Sequence, residues 1–249
     1  MIEKDNYIQF EILNKYNDIA HLSTKKPFDF NNKKIDSNKI ESEYEELNNI
    51  LNINPRKISI SFQKHTNIVK VVTEDNLDEF FNPADGLITN LKNVALSIRT
   101  ADCQGILIYD KEKKIIGNIH SGWRGTLGRI IVNAIELMKS TFNSDPKDLI
   151  VCFCPSILEC CFEVDEDLAL DFKKEFSDIN IDNYIRKGDN NKYYIDTIGI
   201  NNELLINLGL LKENIINSNI CTKCNKDIYH SYRGEPDING RNVSYIMLK

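Results

Sequence analysis

The chain has 249 residues, 41% of them hydrophobic, and a formal net charge of −6. This size and composition suit one large α/β domain or two small ones, and the negative charge argues against a general electrostatic affinity for nucleic acid or anionic membranes. No apolar run approaches the roughly 20 residues of a membrane span, and the N-terminus lacks a basic region followed by an apolar one. Because seven cysteines, an odd number, occur without such a signal, we expect a cytoplasmic protein without a disulfide framework.

Hydrophobic periodicity predicts strands in runs as well as strands alternating with helices. The predicted strands are 7–12, 57–62, 68–73, 94–99, 105–109, 115–119, 149–153, 193–196 and 243–248. The predicted helices are 38–51, with Asn38 and Glu41 at capping-box spacing, 127–142, 165–176 and 197–208, which Gly209 ends. With no linker or repeat in view, this order favours one α/β domain over residues 1–249, of the mixed α/β or α+β kind, with a layered mixed β-sheet flanked by helices.

The segment from His120 to Thr126 lies between predicted strand 115–119 and the helix that starts near Leu127. Thr126 is placed to cap that helix, whose first turn offers free N–H groups and the positive end of the helix dipole. Together with Arg124 and a Gly-x-x-Gly turn, this arrangement predicts an anion site.

Three residues suited to metal binding, His65, Cys103 and His120, each follow the end of a predicted strand. Strand ends of one sheet can converge on a single crevice. Two imidazoles and a thiolate suit zinc, and three protein ligands leave an open position, as in catalytic sites. Because the three residues are far apart in sequence, spacing alone leaves equally open that they never meet.

Several further residues have two open interpretations. Asp102 either orients a ligand or a water beside Cys103 or is a plain strand-end aspartate. Arg124 either holds phosphate or a substrate oxygen or is a surface arginine on a turn. Ser231, Arg233 and Arg241 either line an anion pocket around loop 234–239 or belong to a loop that only caps the fold.

Asp85 is either a helper base or part of a turn with Gly86, and the turn is favoured. His21 and His230 are interpreted as structural. A structural zinc usually takes two C-x-x-C knuckles, and the sequence has one, at Cys221 and Cys224. A second zinc therefore stays open, but buried, hydrophobic thiols are the favoured interpretation of the six cysteines other than Cys103: Cys152, Cys154, Cys160, Cys161, Cys221 and Cys224.

Motifs that keep their order and spacing from Gln63 to the C-terminus resemble the YfiH/YlmD-like family, whereas the first 60 residues match only loosely. Members are labelled multicopper polyphenol oxidase or laccase-domain proteins and, more recently, purine nucleoside phosphorylases with adenosine deaminase activity. The matching motifs are Gln63-Lys64-His65, Ala84-Asp85-Gly86-Leu87-Ile88-Thr89, Arg99-Thr100-Ala101-Asp102-Cys103, His120-Ser121-Gly122-Trp123-Arg124-Gly125-Thr126, Pro155-Ser156-Ile157, Cys160-Cys161-Phe162-Glu163-Val164, Cys221-Thr222, Ser231-Tyr232-Arg233 and Gly240-Arg241.

The resemblance implies one catalytic metal, usually zinc, on His65, Cys103 and His120, and a fold shared with bacterial toxin deamidases that use a Cys–His pair. It implies a purine nucleoside and phosphate as small-molecule partners. The chain departs from the family at Lys64, Cys154 and Asn239. None of these departures removes a metal ligand, but they leave substrate preference open.

Four functions follow as hypotheses. The first, which we favour, is a zinc-dependent purine nucleoside enzyme that carries out phosphorolysis and adenosine deamination, with Cys103, His120, Asp102 and Arg124 as catalytic residues and Arg124, Ser231, Arg233 and Arg241 holding phosphate or substrate. Asp102 or Asp85 would move the proton in deamination, and Trp123 either stacks on the purine or packs in the fold.

The second hypothesis is a metal-free hydrolase or deamidase with Cys103 as nucleophile and His120 as base. The third is a copper-dependent phenol oxidase. Four histidines cannot supply four coppers, although a single copper suits the same imidazole and thiolate ligands. The fourth is a non-enzymatic accessory protein. The preferred nucleoside and the oligomeric state do not follow from the sequence.

Overall fold

The computed structural model describes residues 1–31, 33, 35–237 and 240–249. The strands, numbered in chain order, are β1 (Ile2–Glu3), β2 (Tyr7–Gln9), β3 (Ile19–Thr24), β4 (Lys57–Ile60), β5 (Val69–Val71), β6 (Gly86–Thr89), β7 (Val94–Thr100), β8 (Gln104–Asp110), β9 (Ile115–Ser121), β10 (Leu149–Phe153), β11 (Glu163–Asp165), β12 (Ile185–Lys187), β13 (Lys192–Ile195), β14 (Ile215–Asn217) and β15 (Asn242–Leu248). The α-helices are α1 (Ser37–Leu51), α2 (Trp123–Leu127), α3 (Ile130–Phe142), α4 (Glu166–Glu175) and α5 (Thr197–Asn207).

The strands form two large mixed sheets and one small sheet. Sheet A has the order β1-β2-β3-β15-β7-β4, and sheet B has the order β14-β10-β8-β9-β6-β5. The third sheet, β11-β13-β12, is antiparallel throughout. Within the large sheets, β4 pairs with β7, β5 with β6 and β10 with β14 in parallel, and the other pairs are antiparallel.

Sheets A and B are packed face to face, and helices cover their outer faces. On β8, Leu107 and Tyr109 pack between the two sheets, whereas Ile106 and Ile108 pack toward α3 and α5. This follows from the two-residue period of a strand, whose side chains alternate between faces. A strand buried on both faces reads as a continuous apolar run, as the middle of β8 does from Ile106 to Tyr109.

Helix α1 covers the outer face of sheet A, where Tyr44 and Leu47 pack against Val243, Tyr245 and Met247 of β15. The side chain of Asp36 caps the helix by accepting a hydrogen bond from Asn38 N, so the cap lies two residues before the predicted one. The resulting layers are α1, sheet A, sheet B and the α3/α5 helices.

A buried asparagine joins the two sheets. Asn118 on β9 of sheet B donates to the carbonyls of Leu96 and Ser244 in sheet A, at 3.0 and 2.8 Å. Its amide oxygen accepts from Ser244 Oγ at 2.8 Å. Because the surroundings are apolar, these hydrogen bonds favour a single alignment of the two sheets.

The fold class predicted from the sequence is confirmed, and each of the nine predicted strands overlaps an observed one. Periodicity does not identify six strands of the described residues. Five of them have two to four residues, and the sixth, the six-residue β3, is fully buried and shows no alternation. No helix in the described part of the chain has the length and hydropathy needed to cross a membrane.

The largest correction concerns the helix predicted over 127–142. The long helix α3 starts only at Ile130, and Leu127 is the last residue of the separate short helix α2; Arg129, between them, adopts a left-handed conformation with φ 54°. Thr126 therefore lies inside α2 and does not cap a helix; its hydroxyl lies 3.0 Å from Ser121 Oγ. Asp165 precedes α4 as predicted, but its side chain makes no capping hydrogen bond.

Candidate active site

A cleft of about 520 Å³ lies where strands of both large sheets end or begin. Thr100 at the end of β7 pairs with Asn242 at the start of β15, and Gln104 at the start of β8 pairs with Ser121 at the end of β9. The loops that leave these strands therefore meet at one edge of the molecule, and they line the cleft.

His65, Cys103 and His120 come together in this cleft. One ligand atom from each lies within 4.8 Å of the others, and Cys103 Sγ is 3.8 Å from His65 Nε2. His65 lies in the loop after β4, Cys103 lies in the turn between β7 and β8, and His120 lies within β9 rather than after it. The His65 side is open to solvent, whereas His120 is buried, as in a site that keeps a position for substrate.

Asp85 fixes both histidines of the cluster. Its Oδ1 accepts from His120 Nδ1 at 2.7 Å and from the His65 backbone N–H at 3.0 Å. Its Oδ2 accepts from the backbone N–H and the hydroxyl of Thr66, both at 2.7 Å. Because His120 Nδ1 is engaged, its Nε2 is left for a metal, which is the usual arrangement of a carboxylate behind a metal-binding histidine. Asp85 thus both shapes the loop that holds His65 and orients His120.

Gly122 leaves the space that the cluster occupies. A Cβ at this position would lie 2.9 Å from His65 Cδ2 and 3.0 Å from Cys103 Sγ. The donor set of two imidazoles and one thiol, with a carboxylate behind one imidazole, fits a zinc or copper ion.

The charges of the cluster are coupled. Burial alone would raise the pKa of Cys103, but the neighbouring His120 and His65 lower it to about 6. Burial alone would lower the pKa of His120, but Cys103 and Asp85 raise it to about 9. Burial would raise the pKa of Asp85, yet hydrogen bonds from His120 and Thr66 lower it to about 2. Near neutral pH the metal-free cluster therefore contains a thiolate, an imidazolium and a carboxylate.

Asp102 precedes Cys103 in a left-handed conformation with φ 82°, and it organises the wall of the cleft. Its Oδ1 accepts from Thr222 Oγ1 at 2.7 Å and from Ser231 Oγ at 2.6 Å. Its Oδ2 accepts from the Arg233 backbone N–H at 2.6 Å. The carboxylate is buried, and both of its oxygens hold the segment from Thr222 to Arg233.

Ser231, expected in an anion pocket, is buried behind the cleft and does not line it. Arg124, Arg233 and Arg241 do line it, together with Arg99, which sequence reasoning did not single out. Arg233 Nη1 donates to the Glu163 carbonyl, and Arg241 Nη1 donates to the Gly240 carbonyl. Burial lowers the pKa of Arg241. Ile238 and Asn239 of the loop that these arginines bracket lie outside the described residues.

Trp123 lines the cleft and is half-buried, with the guanidinium of Arg124 stacked 3.9 Å from the ring centroid. Aromatic side chains from distant parts of the chain also line the cleft: Phe30 and Phe62, which no motif contains, and Phe162 and Tyr232, which lie in matching motifs but were not named as site residues.

The two histidines interpreted as structural lie outside the cleft. His21 accepts from the Phe10 backbone N–H at 2.8 Å through Nε2, and His230 Nε2 is 2.9 Å from the Phe28 carbonyl. Among the cysteines, Cys152 and Cys154 are buried as expected, but the expectation of burial is wrong for Cys160 and Cys224, which are exposed.

The fold and the site define a layered mixed α/β protein with a His–Cys–His cluster in a cleft rich in arginine. Residues 24–249 match the family described as multi-copper polyphenol oxidoreductase laccase, and the chain belongs to that family. The resemblance to YfiH/YlmD-like proteins is confirmed by this match together with the similarity to proteins of those names.

Relatives with assigned activities are similar over most of the chain. A purine nucleoside phosphorylase of Borreliella burgdorferi is 36% identical over 236 residues, which cover 93% of each chain. A protein named adenosine deaminase RL5, from an unknown prokaryotic organism, is 30% identical over 75% of this chain and 73% of its own. The crystal structure of the hypothetical protein YfiH of Bacillus licheniformis matches with a TM-score of 0.90 at 21% identity, over 99% of this chain and 98% of that one.

Proposed function

We propose that the protein is a zinc-dependent purine nucleoside enzyme that cleaves adenosine, inosine and guanosine with phosphate and deaminates adenosine. The observation that carries this proposal is the convergence of His65, Cys103 and His120 at an open cleft lined by four arginines. The names of relatives at 36% and 30% identity supply the substrate class.

The chain's own residues have separate tasks in this proposal. His65, Cys103 and His120 hold the zinc, which supplies Lewis acidity toward the reacting part of the nucleoside. Asp85 keeps His120 in the tautomer that presents Nε2. Copper suits the same ligands, and we propose zinc as the ion that supports nucleoside chemistry.

Phosphate recognition is assigned to the arginines. Guanidinium groups match the geometry of phosphate oxygens, and Arg124, Arg233 and Arg241 approach the cleft from three different segments. Ser231 and Asp102 act indirectly. The Ser231 hydroxyl and the Arg233 backbone N–H both donate to the Asp102 carboxylate, and these hydrogen bonds position the Arg233 backbone. Proton transfer by Asp102 would require it to leave these partners.

The aromatic side chains in the cleft suit the purine. Phe62 and Tyr232 offer apolar faces of the kind on which a base stacks. One face of Trp123 is already covered by the Arg124 guanidinium, so this ring positions the arginine and also forms part of the cleft wall.

A second candidate is a metal-free hydrolase or deamidase, and one observation favours it. Cys103, His120 and Asp85 form a chain of nucleophile, base and orienting carboxylate, with the pKa of Cys103 lowered to about 6. A metal bound by both Cys103 and His120 excludes this chemistry, because the thiolate is then occupied.

The test combines metal analysis with product analysis. Purified protein and the Cys103→Ala variant are assayed for zinc and copper, then incubated with adenosine with and without phosphate. We expect zinc bound at the cluster in the native protein, adenine formed only with phosphate, and inosine formed without it. Cys103→Ala loses the cluster zinc and both products while staying folded.

Buried Cys152→Ala, which removes a thiol outside the cleft, is the matched control and keeps both products. If the native protein holds zinc at the cluster yet forms no purine product, the nucleoside assignment is wrong. If no metal binds at the cluster while Cys103 reacts with an amide substrate, the hydrolase replaces it.

A further inference from the structure

Four cysteines outside the cleft form a second cluster. The Sγ atoms of Cys160, Cys161, Cys221 and Cys224, here named the four-thiol cluster, all lie within 4.8 Å of one another. None of the four lines the catalytic cleft. Two of them come from the turn after β10, and two come from the segment that follows β14.

The spacing of the sulfur atoms suits a tetrahedral metal site. Cys160 Sγ is 3.8 Å from Cys224 Sγ, and Cys161 Sγ is 3.4 Å from it. Four thiolates around one zinc at about 2.3 Å leave roughly 3.8 Å between sulfurs. A disulfide would require about 2.05 Å, and all four thiols are free.

The backbone brings the two pairs of cysteines together independently of the sulfur atoms. Ser156 N donates to the Ile220 carbonyl and Thr222 N donates to the Ser156 carbonyl, at 3.2 and 3.0 Å, which forms a parallel bridge between Ser156 and Cys221. Asn225 caps the next turn through two hydrogen bonds to the Cys221 carbonyl.

Hydrophobic packing does not account for the four-thiol cluster. Cys160 and Cys224 are exposed and Cys161 is half-buried, whereas packing cysteines such as Cys152 and Cys154 are fully buried. Cys221 is buried, so the four thiols converge where the core meets the surface. Structural zinc sites use such a set of four, with every position taken by protein.

We infer that Cys160, Cys161, Cys221 and Cys224 form a structural tetrathiolate site for zinc, distinct from the His65–Cys103–His120 cluster. Each thiol loses its proton to solvent as it binds, and the metal stays in the divalent state. This inference does not depend on the nucleoside activity.

The site would join the two segments that surround Asp102. On one side, Ile157 N donates to the Asp102 carbonyl at 2.8 Å. On the other, Thr222, the neighbour of Cys221, donates to the Asp102 carboxylate. A metal in the four-thiol cluster therefore supports the wall of the cleft without contacting substrate.

The experiment uses Cys103→Ala, which removes one ligand of the catalytic cluster and leaves the four thiols intact. We expect two zinc ions per chain in native protein, one in Cys103→Ala, one in Cys224→Ser and none in the double variant. X-ray absorption at the zinc edge of Cys103→Ala should show four sulfur ligands and no nitrogen. Buried Cys154→Ala is the matched control and keeps two zinc ions.

The inference is overturned if Cys103→Ala carries no zinc while all six remaining thiols react with a thiol reagent under denaturing conditions. It is also overturned if intact mass shows a disulfide within the cluster, or if the retained zinc has nitrogen ligands. If Cys224→Ser fails to fold, the absorption spectrum and the zinc content of Cys103→Ala still decide the matter.

Discussion

Two aspartates near the catalytic cluster have different tasks. Asp102 is next to Cys103 in sequence, but its oxygens hold Thr222, Ser231 and the Arg233 backbone. Asp85 lies 35 residues before His120 in the chain, yet it contacts the His120 ring. Asp102, the neighbour of Cys103 in sequence, therefore holds the cleft wall. Asp85, which only the fold brings near the cluster, orients the metal-binding His120.

Replacing Asp85 by Asn is expected to weaken metal binding at the catalytic cluster by roughly 10–100-fold, because the group hydrogen-bonded to a metal-binding histidine contributes that much. The amide cannot accept all the hydrogen bonds that the carboxylate takes from His120, His65 and Thr66. Competition with a coloured chelator measures the affinity.

The matched control for this variant is Asp110→Asn. Asp110 is also fully buried and accepts from the backbone N–H groups of Glu112 and Lys113, but it lies at the opposite end of β8. Equal loss of metal affinity in both variants would show that Asp85 acts through general stability alone.

The residues of the site were predictable to different degrees. His65, Cys103 and His120 could be named because each is a metal-binding type placed near a strand end. Arg99 and Phe162 lie in matching motifs but were not assigned to the site, because an arginine in a strand or a phenylalanine after a turn does not by itself indicate a cleft. A second zinc site was not favoured from the sequence because the first pair of the four-thiol cluster is adjacent, at Cys160 and Cys161, rather than spaced as C-x-x-C.

At the scale of single elements, the entry to α2 decides whether the catalytic cluster can form. Gly122 precedes the helix with φ −80° and ψ 177°, an extended conformation that any residue adopts. Glycine is needed there for space alone, since a Cβ would press on His65 and Cys103.

Gly122→Ala is accordingly expected to displace His65 or Cys103 and to lower the catalytic metal affinity at least tenfold, comparable to the loss of an orienting contact. The free energy of unfolding should fall by about 1–3 kcal/mol, which is the usual cost of overpacking a close-packed site. Metal titration and urea denaturation measure the two effects.

Gly125→Ala in the same short helix is the control for Gly122→Ala. Its Cβ would meet no atom closer than 3.4 Å, so we expect metal affinity close to that of the native protein. Unchanged affinity in Gly122→Ala would contradict the steric argument.

Element prediction succeeded where the apolar pattern decides the structure and failed where a single backbone angle does. Leu149–Phe153 is a strand with the predicted bounds because it is buried on both faces. The pattern from Leu127 to Phe142 is also helical in periodicity, yet Arg129 interrupts it with a positive φ. Periodicity reports which side is buried, and it carries no signal for a one-residue break.

For the molecule as a whole, stability depends on pH through a buried neutral histidine. Burial, with a smaller contribution from Lys249, lowers the pKa of His21 to about 3 from an ordinary 6.5. Between these values the unfolded chain takes up a proton that the folded chain does not. The free energy of unfolding therefore falls as pH drops from 6.5 toward 3.

Between pH 7 and pH 5 this proton should cost about 2 kcal/mol of stability. Urea denaturation of the native protein and of His21→Gln at both pH values isolates the contribution, because glutamine can accept from the Phe10 N–H but does not titrate. An equal loss in the two proteins would contradict the assignment to His21.

The hydrogen bonds of Asn118 also bear on how the catalytic ion binds. His120 belongs to sheet B and His65 follows a strand of sheet A, so the ion can be held only when the two sheets are correctly aligned. Ligand affinity and the equilibrium between alignments are reciprocally linked. The dissociation constant of the ion therefore depends on how well the two sheets are docked. It should rise if the sheets slip relative to one another, a change that circular dichroism would not detect.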